Sequence, residues 1–263
     1  MEIRQFGHDR TSDGVLLALE VPSESGGKTI SGGHGAMRHP PAGVGFTTWV
    51  DVRVTCSENV RTDEVILRRG APAVRAAVLT DRAVSFGVGV PPDAAYLQRA
   101  AGARIPAVRR TTGGSGLLHA PGDLAWSIVL PRADPRVGKD YVHAYPRLGA
   151  GVVDFLSERG VAAKWVDPPG TDPDYCLLSA RGSVLALEGK VLGGAAQHLA
   201  GGALLHHGIV PFELDRPLLH KLFGLSPNSL ERLTSLRELG IEGSPEQIAW
   251  KLAARLSDAL SRP

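Results

Sequence analysis

Long apolar runs are missing from these 263 residues. No stretch has the length needed to span a membrane, and Met1-Glu2-Ile3-Arg4-Gln5 leads into polar sequence instead of a secretory signal. The expected compartment is the cytoplasm, with no membrane partner. Cysteine is scarce. Cys56 and Cys176 are the two in the chain, and they form no metal-ligand spacing. In a reducing cytoplasm they read as free thiols. An excess of one charge is missing too: 29 Lys and Arg stand against 27 Asp and Glu, a net +2 with no basic block. That balance leaves no electrostatic footprint for nucleic acid. His34 and His39 lie among glycines without Cys or acidic partners at ligand spacing, so no metal site is expected. There is no internal repeat.

Hydrophobic residues make up 43% of the chain, enough for a sizeable core in one large domain, or in one domain with an appendage. Residues 22–45, rich in Gly, Ser, Pro and His, read as a long loop or arm. Val15 to Leu19 reads as a short strand, and Trp49 to Val54 alternates like a half-buried one. Further strands are expected at 65–68, 84–90, 107–119, 124–130, 161–166, 184–187 and 203–210. Asp93 is placed to cap a helix over 94–100, with Gly102 as its stop. Residues 140–159 read as one helix with Leu148, Val152, Phe155 and Leu156 on a single face, ended by Gly160. The tail reads as helical through Leu230, Leu233, Leu236 and Leu239. Ser244-Pro245-Glu246-Gln247 then carries the signature of a new helix start. This mixture predicts an α+β fold, mixed β-sheets packed with helices on one side.

Two segments carry chemistry. The first, Arg109-Arg110-Thr111-Thr112-Gly113-Gly114-Ser115-Gly116-Leu117-Leu118-His119, sets two guanidinium groups beside a glycine run that ends in histidine. Arginine grips anions with a planar fork of donors, and glycine lets backbone N–H groups come close to a ligand. In a strand the two arginines point to opposite faces, so at most one meets a ligand. No Gly-Lys-Ser/Thr follows the glycines, so this is not a phosphate-binding P-loop. The second segment, Gly189-Lys190-Val191-Leu192-Gly193-Gly194-Ala195-Ala196-Gln197, leads a lysine into small residues. Between them, Asp172-Pro173-Asp174-Tyr175-Cys176 places a thiol in a turn-like stretch. Asp123 suits a turn cap, or an orienter of His119 or Arg110. The adjacent His206 and His207 face opposite ways in a strand, which disfavours joint metal binding by the pair.

Together the two segments resemble the catalytic domain shared by lipoate–protein ligases and octanoyltransferases, a biotin/lipoate protein ligase fold. The resemblance includes Pro121-Gly122-Asp123-Leu124-Ala125-Trp126-Ser127 and Gly202 to Val210. It covers 62–263, which is expected to be the catalytic domain with a short helical tail. Residues 1–61 carry no such resemblance, and the helix with which family members begin, crossing the sheet, is not found there. The resemblance implies an acyltransferase that moves an octanoyl or lipoyl group from acyl carrier protein to a lysine of a lipoyl domain. The acceptor would be a lipoyl domain of a 2-oxoacid dehydrogenase, or the glycine cleavage H protein. In that reading Cys176 is the nucleophile and forms an acyl-enzyme. Lys190 holds the carbonyl and favours the thiolate. Arg109, Arg110, Gly113, Gly114, Ser115, His119, Gly193 and Ala195 line the substrate site, and no cofactor is needed. The resemblance also admits an ATP- and Mg2+-dependent lipoate–protein ligase working through a lipoyl-adenylate, although ligases carry a third glycine where this chain has Ser115. A third reading is a non-catalytic acyl- or carrier-binding subunit.

Overall fold

A computed structural model describes residues 16–17, 46–141, 144–179 and 183–262. The arm expected over 22–45 lies outside the described residues, as do His34 and His39. In chain order the strands are β1 (Leu16–Leu17), β2 (Thr47–Val54), β3 (Ala73–Leu79), β4 (Ala83–Phe86), β5 (Ala107–Arg109), β6 (Gly116–His119), β7 (Leu124–Pro131), β8 (Lys164–Val166), β9 (Ser183–Leu187), β10 (Lys190–Ala200) and β11 (Ala203–Val210). The helices are α1 (Cys56–Arg69), α2 (Ala95–Gly102), α3 (Tyr145–Leu148), α4 (Ala150–Ser157), α5 (Arg216–Phe223), α6 (Pro227–Glu231) and α7 (Pro245–Ser261).

Eight strands form one sheet in the order β1-β2-β3-β7-β11-β10-β9-β8, and a small sheet runs β5-β4-β6. Both sheets are mixed. β2 pairs with β3 in parallel and β4 with β5 in parallel, while the remaining pairs are antiparallel. Side chains alternate across the large sheet, as the two-residue strand period requires. Val74, Ala76, Trp126, Ile128 and Leu204 enter one core with Leu148, Phe155, Leu252 and Leu256 of the helices α3, α4 and α7. Arg75, Ser127 and His207, in register with one another across β3, β7 and β11, point to the other face. There α1 covers them.

Helices therefore pack on both sides of the large sheet, where the sequence reading places them on one. The helix not found from the sequence is α1, and it includes residues 65–68, which were expected as a strand. Its start is a capping box: Thr55 N–H donates to Glu58 Oε2 at 2.7 Å, and Glu58 N–H donates to Thr55 Oγ1 at 3.2 Å. Gly70 ends it in the left-handed conformation at φ 65°. One long helix over 140–159 is also corrected, since the described residues hold two short ones, α3 and α4, meeting at Gly149. Of the leucine tail only 227–231 is helical. Leu233 instead bridges to Val191 and, like Leu236, is fully buried. The Ser244 start is realised as a capping box on α7, with Gln247 N–H donating to Ser244 Oγ at 3.3 Å and Ser244 N–H to Gln247 Oε1 at 3.0 Å.

Candidate active site

Cys176 sits in the crossing segment between β8 and β9, tied to the glycine-rich segment by backbone. Its N–H donates to Gly116 O at 2.8 Å, and Gly116 N–H donates to Asp174 O at 3.0 Å. On either side of the half-buried thiol, Tyr175 and Leu177 are fully buried. The Tyr175 ring lies 5.0 Å from Phe223 of α5. These neighbours anchor a turn that would otherwise be free to move, and they aim its sulfur.

The two arginines separate as strand alternation demands. Arg109 is exposed. It donates to Val88 O and Val90 O at 2.9 and 3.1 Å and lies 4.7 Å above the Phe86 ring, outside the cavity. Arg110 is buried and donates to Gly113 O at 2.9 Å, Ser115 O at 3.0 Å and Ser85 Oγ at 3.3 Å, and its Nη2 reaches Cys176 Sγ at 3.6 Å. Gly114 permits that approach. Its φ is +96°, and a Cβ there would stand 2.7 Å from Arg110 Nη2 and 2.9 Å from Cys176 Sγ. Gly113 is exposed beside it, and Ser115 presents a buried hydroxyl without a partner among the described residues.

The sulfur opens onto a cavity lined by Val60 of α1, Leu117 of β6, Ala125 of β7, Val184 of β9, Ala195 of β10 and Ile209 of β11, with a few polar groups among them. Those polar groups are Cys56, Asn59, Ser85, Arg110, His119, Ser183 and His207. An apolar hollow with a few converging polar groups is the form of a small-molecule site. His119 is fully buried and shares a 2.8 Å hydrogen bond with Ser85 Oγ. Burial first, then the Arg110 charge, pushes its pKa down to about 3, so the ring is neutral at ordinary pH. Burial pushes the Cys56 thiol up to about 12, with the Asp81 carboxylate adding to it, which makes it a poor nucleophile.

Lys190 begins β10 in the β9–β10 hairpin, exposed to solvent, and does not line the cavity. Five steps along the strand separate it from Ala195, about 16 Å at about 3.3 Å each. Pairing between β9 and β10 shifts register between Val191 and Gly193. Gly193 does not line the cavity either. It lets β10 approach β11, since a Cβ there would lie 2.3 Å from Ile209 O. Thus Cys176, Arg110, His119 and Ala195 come together around one cavity, with Gly113, Gly114 and Ser115 gathered around Arg110 beside the sulfur, while Arg109, Lys190 and Gly193 stand apart. Asp123 resolves to the turn cap: it accepts from Ala120 N at 2.9 Å and Phe212 N at 3.0 Å, and no contact to His119 or Arg110 accompanies these.

Sequence reasoning missed a polar cluster behind the cavity. His207 Nδ1 pairs with Asp63 Oδ2 at 2.7 Å, and its Nε2 with Thr112 Oγ1 at 2.9 Å. Asp63 Oδ1 accepts from Ser127 Oγ and, at 3.4 Å, from Arg75 Nη1. Arg75, with no exposure at all, also donates to Asn59 Oδ1 at 2.6 Å and to Asp51 Oδ2 at 2.5 Å. Among the described residues no group of three or more His, Cys, Asp or Glu is placed to hold a metal, and no helix is long and apolar enough to cross a membrane.

Residues 56–257 match the family described as the lipoyl protein ligase A/B catalytic domain. The chain belongs to that family. The match starts at the first residue of α1, six residues before the boundary expected from the motifs. Among curated relatives, octanoyltransferase LipM of Exiguobacterium sp. is 33% identical over 130 residues, 46% of this chain and 47% of the relative. Octanoyltransferase LipM of Bacillus cereus is 31% identical over 140 residues, 49% of this chain and 50% of the relative. The chain thus spans about half the length of these curated relatives. Among solved structures, lipoate-protein ligase A bound with ATP superposes with a TM-score of 0.65 at 22% identity, covering 79% of this chain and 83% of that one. A bi-partite lipoate protein ligase from Thermoplasma acidophilum, analysed with its E2 lipoyl domain, gives 0.63 at 21% identity over 80% and 82%. These likenesses give the family its fold: mixed sheets with helices packed against them.

Proposed function

We propose that this chain is an octanoyltransferase that works through an acyl-enzyme on Cys176. It takes an octanoyl group from acyl carrier protein and passes it to a lysine of a lipoyl domain, of a 2-oxoacid dehydrogenase or of the glycine cleavage H protein, in the cytoplasm. The observation that carries the reading is the approach of Arg110 Nη2 to Cys176 Sγ at 3.6 Å, at the mouth of an apolar cavity. A cation in that place stabilises the negative charge that sulfur carries as it attacks a thioester and as it leaves. The work first assigned to Lys190 thus falls to Arg110. The apolar walls suit an acyl chain, since each buried methylene contributes about 0.8 kcal/mol. Thioester exchange between carrier and enzyme is close to balanced in free energy and needs no cofactor. The relatives named octanoyltransferase support the same reading.

Adenylate chemistry with ATP and Mg2+ is less well served. Arg110 Nη2 is committed to two carbonyls of its own segment and Nη1 reaches Ser85 Oγ, so the guanidinium is held for the sulfur and less of it is left for a phosphate. The test is intact-mass spectrometry after incubation with octanoyl carrier protein and no ATP. A hydroxylamine-labile octanoyl adduct is expected on the wild type and not on Cys176→Ala. An adduct that persists in Cys176→Ala, or lipoate transfer that requires ATP, refutes the acyl-enzyme.

A further inference from the structure

Passing the acyl group to a lysine poses a problem that thioester exchange does not. The ε-amine arrives as an ammonium, with an ordinary pKa near 10.4, and must give up a proton before its nitrogen can attack. Near the sulfur, Arg110 cannot accept one. His119 is hydrogen-bonded to Ser85 and has no carboxylate partner among the described residues. Lys190 is on a distant hairpin.

His207 differs from all of these. It lines the same cavity as Cys176, and its Nδ1 is fixed at 2.7 Å from the Asp63 carboxylate. With Nδ1–H donating to Asp63, Nε2 is the ring's acceptor, and the Thr112 hydroxyl donates to it at 2.9 Å. The cluster behind Asp63 has an uneven charge. Two buried carboxylates, Asp51 and Asp63, share one guanidinium, Arg75. A proton on His207 balances the set, and the carboxylate steadies the imidazolium as it forms, which is the logic of an orienting acid behind a catalytic histidine. The charged and titratable groups around the ring are Asp63 and Cys56 from α1, Arg75 from β3, His119 from β6, the neighbouring His206 of β11, and Arg110 and Cys176 from the segments at the mouth.

We propose that His207, oriented by Asp63, is the proton acceptor for the lysine that receives the acyl group; the proposal rests on the acyl-enzyme reading. The ammonium replaces the Thr112 hydroxyl as donor to Nε2 and transfers one proton to it. The freed nitrogen attacks the thioester carbonyl, the new C–N bond forms and the C–S bond breaks. Cys176 leaves as thiolate beside Arg110 and takes the second proton released from the nitrogen, and His207 returns its proton to solvent. No oxidant or further reactant is needed.

The test uses His207→Gln in the full chain, in two stages. Octanoyl carrier protein first loads Cys176, followed by mass, and the loaded enzyme is then chased with a lipoyl domain or with hydroxylamine, an amine largely unprotonated near neutral pH. Both amines are compared on the same loaded enzyme, so any change in loading cancels, and hydroxylamine release sets the reference rate for each variant. Transfer to lysine should fall by on the order of 10² or more, the usual contribution of a general base. In the variant that transfer should climb steeply with pH, as more of the lysine is free amine. Asp63→Asn, which keeps the imidazole, should show the same selectivity with a smaller loss, and it serves if His207→Gln does not fold. Lysine transfer within threefold of the wild type, or an equal loss with both amines, overturns the proposal. Failure of the wild type to load at all overturns the acyl-enzyme reading itself, and the proposal with it.

Discussion

His206 offers a clean pH test of the fold, because it lies on the face of the sheet away from the cavity. Its side chain has no exposure, its Nδ1 meets Gln197 Nε2 at 3.2 Å, and its Nε2 has no partner among the described residues. It packs edge-on to Tyr145 and Trp165, at 5.5 and 6.4 Å between ring centroids. Burial, with a smaller push from His207, lowers its pKa from 6.5 to about 3. A base with a depressed folded pKa takes up its proton more readily in the unfolded chain. The stability it confers is therefore present above about 6.5 and is lost as pH falls toward 3. Between about pH 7 and about pH 5, linkage gives a loss of about 2 kcal/mol from this one group. His206→Leu removes the titration and adds a packing change that does not depend on pH. Urea unfolding, followed by fluorescence of the adjacent Trp126 and Trp165, should show the variant gaining about 2 kcal/mol on the wild type as pH drops over that window. A stability gap that stays constant to within about 0.5 kcal/mol would mean that the ring is already protonated, or is reached by water, in the native state.

Asp123 should behave with the opposite sign. Burial, opposed by the Ala120 and Phe212 N–H donors, raises its pKa to about 7. Its contribution is thus full below about 3.8 and is lost as pH rises through 7, so Asp123→Asn should lose about 2 kcal/mol relative to wild type on going from about pH 7 to about pH 5; parallel curves sink this. Gly114→Ala forces a Cβ against Arg110 and Cys176 at positive φ, and acyl loading measured by intact mass should slow by about tenfold or more. Loading at the wild-type rate would show that the sulfur works in another geometry. Tyr175→Ala removes a fully buried ring beside Phe223 and should cost about 3–5 kcal/mol in urea unfolding; a cost below about 1 kcal/mol would show that the Cys176 turn is held by backbone alone.

What could be read in the sequence depended on how local each signal is. The α7 start and most strands of the large sheet are written in neighbouring residues, and the structure places them there. Thr55-Cys56-Ser57-Glu58 is an equally local capping signal, yet the apolar run that follows it masks α1. Val65-Ile66-Leu67 reads as a strand when taken alone, and the helix that claims it starts before the boundary drawn at residue 62. Pro146 and Gly149 interrupt the helix expected over 140–159. The leucines after 230 keep helical spacing for a different reason: Leu233 and Leu236 are buried one by one from an irregular segment that bridges β10. The polar cluster could not be read at all. Alternation showed that His206 and His207 part to opposite faces, but Asp63, the partner of His207, lies 144 residues earlier, and only the packing of α1 on the sheet joins them.

The identity of the cation beside Cys176 follows the same rule. Lys190 and Cys176 are close in sequence, and the family resemblance ties them. In space the β10 strand carries Lys190 outward to the hairpin, and the register shift after Val191 absorbs a residue before the strand reaches the cavity at Gly194. Arg110 lies 66 residues before Cys176, yet the isolated bridge between Gly116 and Tyr175 sets the two segments side by side and brings the guanidinium to the sulfur. Two features hold that arrangement. Gly114 leaves room for Nη2, and the carbonyls of Gly113 and Ser115 pin it. The glycine run therefore has a different use from the one its composition first suggests. It turns its carbonyls inward to hold a cation, and a lysine at position 110, with one compact ammonium in place of a planar fork, could not satisfy Ser85, both carbonyls and the sulfur together.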